Sequence, residues 1–114
     1  MAKENLFLKK AHEMNLLDER DLCYGVDVVC SNGNRGRAWF FVNGNLMFLY
    51  EMRGLADMGA CIETLDLNKT KFVKGSSFLL NPNMGLQYAG NTYKITGFAQ
   101  PKRIIEAFRE SCKG

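Results

Sequence analysis

The densest hydrophobic patterning lies between Arg37 and Met52, where two apolar, aromatic-rich runs flank the dipeptide Asn43-Gly44. Asn and Gly both accept the positive φ that the central positions of a type I′ turn require, so the pattern predicts a β-hairpin with its tip there. A two-residue loop at that point sets Phe41 opposite Leu46, Trp39 opposite Phe48 and Arg37 opposite Tyr50, with Phe40 and Met47 sharing the other face. Large apolar groups on both faces predict a hairpin covered on both sides.

The rest of the chain arranges itself around this hairpin. From Ala2 to Asn15 there is no Gly or Pro and an abundance of Leu, Lys, Glu, Ala and Met, which predicts a helix with an apolar stripe through Phe7, Ala11 and Met14, widened by Leu6 and Leu17. It is expected to dock on the body of the domain. The run from Leu22 to Cys30 alternates as a strand, with Leu22, Tyr24, Val26, Val28 and Cys30 on one face, Asp27 on the other, and Gly25 marking a bend or bulge. Residues 31–36 read as a polar turn and residues 53–59, with two glycines, as a loop. Two further strands are expected over residues 61–67 and 71–74. The short apolar run Phe78-Leu79-Leu80 is then closed by an Asn81-Pro82-Asn83 turn. A second hairpin with Gly90-Asn91 at its tip groups Leu86 and Tyr88 with Tyr93 and Ile95, and pairs Gln87 with Lys94 on the opposite face. Pro101 suits a first helical turn, and Ile104, Ile105, Phe108 and Cys112 then form one apolar stripe, predicting an amphipathic helix over residues 101–112.

Composition adds limits rather than chemistry. At 114 residues, 46% hydrophobic and 24% charged, the chain is sized and composed for one globular domain, 1–114, with neither repeat nor linker. A formal charge of +3 permits attraction to anionic surfaces without specifying one. Cys23, Cys30, Cys61 and Cys112 form no CxxC pair, so reduced thiols are expected, with no zinc site, no disulfide framework and no cofactor. With no apolar run long enough for an export signal or a membrane span, the expected location is the cytoplasm.

Three segments carry a likeness to a known family: Leu46-Met47-Phe48-Leu49-Tyr50 after a tight turn, Ile62 to Leu67 before Lys69, and Thr92-Tyr93-Lys94-Ile95-Thr96-Gly97-Phe98 leading into Pro101 to Ser111. With this order of elements the chain resembles pleckstrin-homology-like domains of the GRAM and bacterial kind, over about Leu16 to Cys112. The likeness implies a mainly β, α+β fold: a partly open barrel of two antiparallel sheets over residues 22–98, capped by the C-terminal amphipathic helix. The helix within residues 1–17 is additional to the minimal fold. Two departures stand out. The Thr-x-x-Arg often found in the central turn is replaced by the shorter Asn43-Gly44-Asn45, and the first strand lacks the Lys that lipid-binding members carry there.

The same likeness implies binding rather than catalysis, and a fold alone does not fix the ligand. Arg35-Gly36-Arg37 supplies the second half of the family's lipid motif, and with Arg53 makes a candidate anion or lipid site (Arg35, Arg37, Arg53). Other chemistries find little support. His12, the sole histidine, could serve a thiol only beside a thiolate at Cys23 or Cys30. Gly33 and Gly36 lead into a strand rather than the Lys-Ser/Thr and helix of a phosphate loop, and the hairpin aromatics lack the interleaved cations of a nucleic-acid platform. The expected function is a non-enzymatic interaction module with a protein or peptide partner, including a second copy of itself. Anionic lipid head groups, a small thiol-dependent activity and an enclosed apolar ligand are the alternatives.

Overall fold

A computed structural model describes residues 2–54, 57–78 and 80–114, with side chains of the first helix from Leu8 onward. Helix α1 (Ala2–Glu13) is followed by β1 (Cys23–Cys30), β2 (Gly33–Asn43), β3 (Leu46–Gly54) and β4 (Asp57–Asp66). A short 3-10 turn over Leu67–Lys69 then leads to β5 (Lys71–Ser76), β6 (Asn83–Tyr88), β7 (Asn91–Thr96) and helix α2 (Pro101–Ser111). All strands pair antiparallel in one seven-stranded sheet of order β4-β3-β2-β1-β7-β6-β5. Strand β1 joins two arms. It pairs with β2 from end to end but with β7 only from Asp27 to Cys30, so the two expected sheets are arms of one continuous sheet that does not close between β4 and β5.

The inner faces of both arms and the apolar stripe of α2 make the main core. Phe40, Met47, Leu49, Leu65, Leu86, Ile95, Ile104 and Phe108 are all buried in it, and Phe40 meets Phe108 edge-on with centroids 5.6 Å apart. Helix α2 therefore bridges the arms: Phe108 packs on β2, while Ile105 lies close over Gly75 of β5. A second, smaller core lies on the outer face of the first arm. There Leu8, Ala11, Leu16 and Leu17 cover Trp39, Phe41, Phe48 and Tyr50, so the central hairpin is covered on both sides as its sequence predicts. The α1 segment docks within its own domain. The Leu6 and Phe7 part of the expected stripe lies outside the described side chains, and Met14 is exposed rather than packed.

Several local expectations are corrected. Helix α1 stops at Glu13 because Asn15 adopts φ +59, which lets the Leu16 amide return to the Ala11 carbonyl (3.0 Å) and the Asn15 amide to that of His12 (2.9 Å) in a Schellman motif. The central turn is Gly44-Asn45, one residue later than predicted: Gly44, at φ +60, takes the first central position, where a type II′ turn needs glycine. Ala89 and Gly90, both at positive φ, likewise displace Gly90-Asn91 at the second tip. Each partner thereby slips by two residues: Phe41 faces Phe48, Trp39 faces Tyr50 and Gln87 faces Thr92. A slip of two keeps every side chain on its predicted face.

Regions read as loops are largely strand. β2 begins at Gly33 and β3 extends to Gly54, so every described residue of 53–59 lies in β3 or β4, and residues 55–56 are outside the described residues. The bulge predicted at Gly25 falls instead on β2. Val28 pairs with Gly36 and Val29 with Asn34, which leaves Arg35 as the extra residue beside Gly36 at φ +72. Gly25 marks a close approach, since a Cβ there would lie 2.6 Å from Cε of Met52. Phe78 and Leu80 stand exposed in the loop between β5 and β6, and Leu79 is outside the described residues.

Candidate functional site

The structure places each of the three candidate arginines in an ion pair. Without the bulge, Arg35 would share the outer face of Arg37 and Trp39; the extra residue turns it toward the interior. There its Nε donates to Glu63 Oε1 at 2.6 Å, while its terminal nitrogens hold Asn32 Oδ1 at 2.7 Å and the Gly33 carbonyl at 3.0 Å. The other Glu63 oxygen accepts the hydroxyl of the buried Tyr93, so β2, β4 and β7 are tied together across the interior. Burial and the adjoining carboxylate both push the Tyr93 hydroxyl well above its ordinary pKa. Arg37 pairs across β1 with Asp27 at 3.3 Å. Arg53 pairs with Glu51 at 2.9 Å along β3, and the pair lies over Gly59, where a Cβ would collide with it. Each charge is met by its own acid, and nothing unites the three into one anion cradle.

Two more acids serve structure in the same way. Asp18 accepts from Arg20 (2.7 Å) and from the Gly44 amide (2.7 Å), and Arg20 reaches Ser111 Oγ (3.1 Å). That network ties the entry to β1, the β2–β3 turn and the end of α2, and the hydrogen-bonded Arg20 guanidinium holds the Asp18 carboxyl well below the usual carboxylate range. His12 Nε2 lies 2.6 Å from Asp21 Oδ1. Two of the thiols are held protonated: burial pushes Cys23 up to about 12, with Asp21 adding to the shift, and burial pushes Cys112 up to about 11. Among the described residues no three His, Cys, Asp or Glu side chains are grouped to hold a metal.

The second arm differs in charge. Between Asp66 and Glu106 the chain has no Asp or Glu, yet Lys69, Lys71, Lys74, Lys94, Lys102 and Arg103 all fall there. On the outer face of β5, β6 and β7, Lys71, Gln87 and Thr92 lie abreast, and Lys74, Gly85 and Lys94 form the next row. Strand spacing puts the two lysines of that row about 10 Å apart. Gly85 between them is buried under the Lys74 stem and Val73, each 3.8 Å from where its Cβ would be. Lys69 and Lys71 also line a cleft of about 350 Å³ with Gln87, Tyr88, Ala89 and Gly90. Among the described residues no ion pair involves a cation beyond Arg53. The expected cation site overlooked this face, although the acid-free run is a block pattern visible in the sequence.

Comparison with known proteins gives no matching family model and no matching curated protein. Solved structures do match. The chain is similar to Vav1 bound to an allosteric inhibitor, with TM-score 0.69 and 12% identity over 98% of this chain and 34% of that one. A Vav1 structure described for its PH and C1 domains aligns with TM-score 0.64 and 10% identity over 95% of this chain and 32% of that one. The pleckstrin homology domain of ArhGAP27 aligns with TM-score 0.53 and 14% identity over 81% of this chain and 93% of that one. The chain thus spans about a third of the Vav1 chains it matches, and the likeness establishes a pleckstrin-homology-like fold.

Proposed function

We propose that the chain is a non-catalytic binding module that engages an anionic partner through the outer face of its second arm. One observation carries the reading: Lys71, Lys74 and Lys94 are exposed on adjacent rows of one sheet face, with no carboxylate anywhere between Asp66 and Glu106. Exposed cations without a counter-charge attract over roughly the 8–10 Å Debye length of physiological salt, whereas an intramolecular ion pair presents almost no net field at that range. The first-arm arginines are therefore poor candidates and the second-arm lysines good ones. The fold agrees with a binding role, as do thiols held in their protonated form at Cys23 and Cys112. An acidic protein segment and an anionic lipid surface both supply the required chemistry.

Fluorescence anisotropy with labelled poly-glutamate tests the reading. The intact chain is expected to bind with an affinity that falls as salt rises. Reversing Lys71, Lys74 and Lys94 to Glu abolishes binding, whereas Arg35→Ala, Arg37→Ala and Arg53→Ala together leave it within about twofold. The opposite ranking overturns the reading.

A further inference from the structure

Among the described residues the most exposed large apolar side chains lie in the loop that follows β5. Phe78 is 76% and Leu80 98% exposed, while the next most exposed large apolar side chain among the described residues, Val29, is at 49%. Both stand in the loop between β5 and β6, where with Ser76 and Ser77 they line one cleft. Ser77 also lines a cleft with Gln100, Pro101, Lys102 and Arg103, so the apolar tip stands next to the start of α2. Arg103 donates to neutral oxygens, the Tyr24 hydroxyl at 2.8 Å and the Arg20 carbonyl, and forms no ion pair among the described residues. Arg109 lies over the Phe72 ring at 5.2 Å, and Glu106 is the one carboxylate lining the clefts that Ser77 shares.

We propose that this loop docks on an anionic bilayer, with Phe78 and Leu80 entering the headgroup–acyl boundary while Lys74, Lys102 and Arg103 meet lipid phosphates and carboxylates. The inference rests on the anionic-partner reading and names the partner. An acidic peptide on the lysine rows would satisfy the cations but leave Phe78 and Leu80 in water; a bilayer interface takes apolar side chains without a shaped pocket and attracts the cations around them. The proposed contact is peripheral, made by one loop and the cations around it; no helix among the described residues is long and apolar enough to cross a membrane. It also differs in place from the Arg35, Arg37 and Arg53 site, whose charges are already paired.

Co-sedimentation of the full chain with two vesicle types, phosphatidylcholine alone and equimolar phosphatidylcholine and phosphatidylserine, tests the proposal. Binding to the mixed vesicles only is expected. Phe78→Ser/Leu80→Ser, a change at exposed positions that leaves the melting temperature unaltered, weakens it about tenfold or more. Lys74→Ala and Lys102→Ala each weaken it about fivefold. Wild-type vesicle binding by the loop variant overturns the proposal, and so does binding to poly-glutamate without binding to the mixed vesicles, a result that leaves the anionic-partner reading intact. Vesicle and poly-glutamate binding that both survive reversal of Lys71, Lys74 and Lys94 overturn that reading itself.

Discussion

In the arm built from β1 to β4, Arg35, Arg37 and Arg53 each close on a carboxylate, whereas in the arm of β5 to β7 Lys71, Lys74 and Lys94 are exposed, form no ion pair among the described residues and face no acid across the strands. The first arm is also covered on both faces, by the main core within and the α1 segment without; the outer face of the second lies open. Charge in the first arm thus ties strands together, and charge in the second is left unpaired. A net charge of +3 conceals this, because it sums an acid-rich half, net −3 over residues 1–66, with a basic one, net +6 over residues 67–114. Where cations are left unpaired tells more about binding than how many there are.

The contrast can be broken most severely at the helix that spans it. Phe108 is 1% exposed and packs edge-on to Phe40, so Phe108→Ala opens a cavity between the arms and is expected to cost about 3–5 kcal/mol in urea unfolding. A smaller cut separates the arms without a cavity. Tyr93→Phe removes the hydroxyl that Glu63 accepts from β7 and leaves the carboxylate to Arg35 alone, an expected loss of about 1–2 kcal/mol by the same measurement, with poly-glutamate binding unchanged.

The smallest effect is one of pH and belongs to the first arm alone. Because the Asp18 carboxyl is held below its ordinary value when folded, its contribution to stability is full above the unfolded pKa near 3.8 and fades as pH falls below that toward the folded value. Asp18→Asn is therefore expected to cost about 1 kcal/mol at neutral pH, and the gap to wild type narrows on acidification below about pH 4. A gap that widens in acid would contradict the network drawn around Arg20 and Gly44.

Much of this architecture is legible in the sequence because strand periodicity is robust. Both hairpin tips fall one residue from where the Asn-Gly and Gly-Asn dipeptides suggest, yet Phe40, Met47, Leu86 and Tyr93 keep their predicted faces, since a slip of two preserves parity. Glycine misleads where it serves packing instead of turning. Gly54 and Gly59 suggest a loop, but they lie within β3 and β4, and Gly59 makes room for the Glu51–Arg53 pair. The candidate site was hidden for another reason. That Arg35 meets Glu63 depends on a bulge and on a partner distant in sequence, which no local pattern encodes, so an arginine that looks available proves occupied. The lysine face needed only the missing acids between Asp66 and Glu106 to be noticed.

The central claim, that the open lysine face binds and the paired arginines do not, is tested most directly by mapping backbone amide shifts of the full chain as poly-glutamate is added. Perturbations confined to residues 69–74, 85–94 and the start of α2 are the expected result. Perturbations centred on residues 31–37 and 51–54 would contradict it, placing the partner on the end of the sheet where every arginine already has its acid.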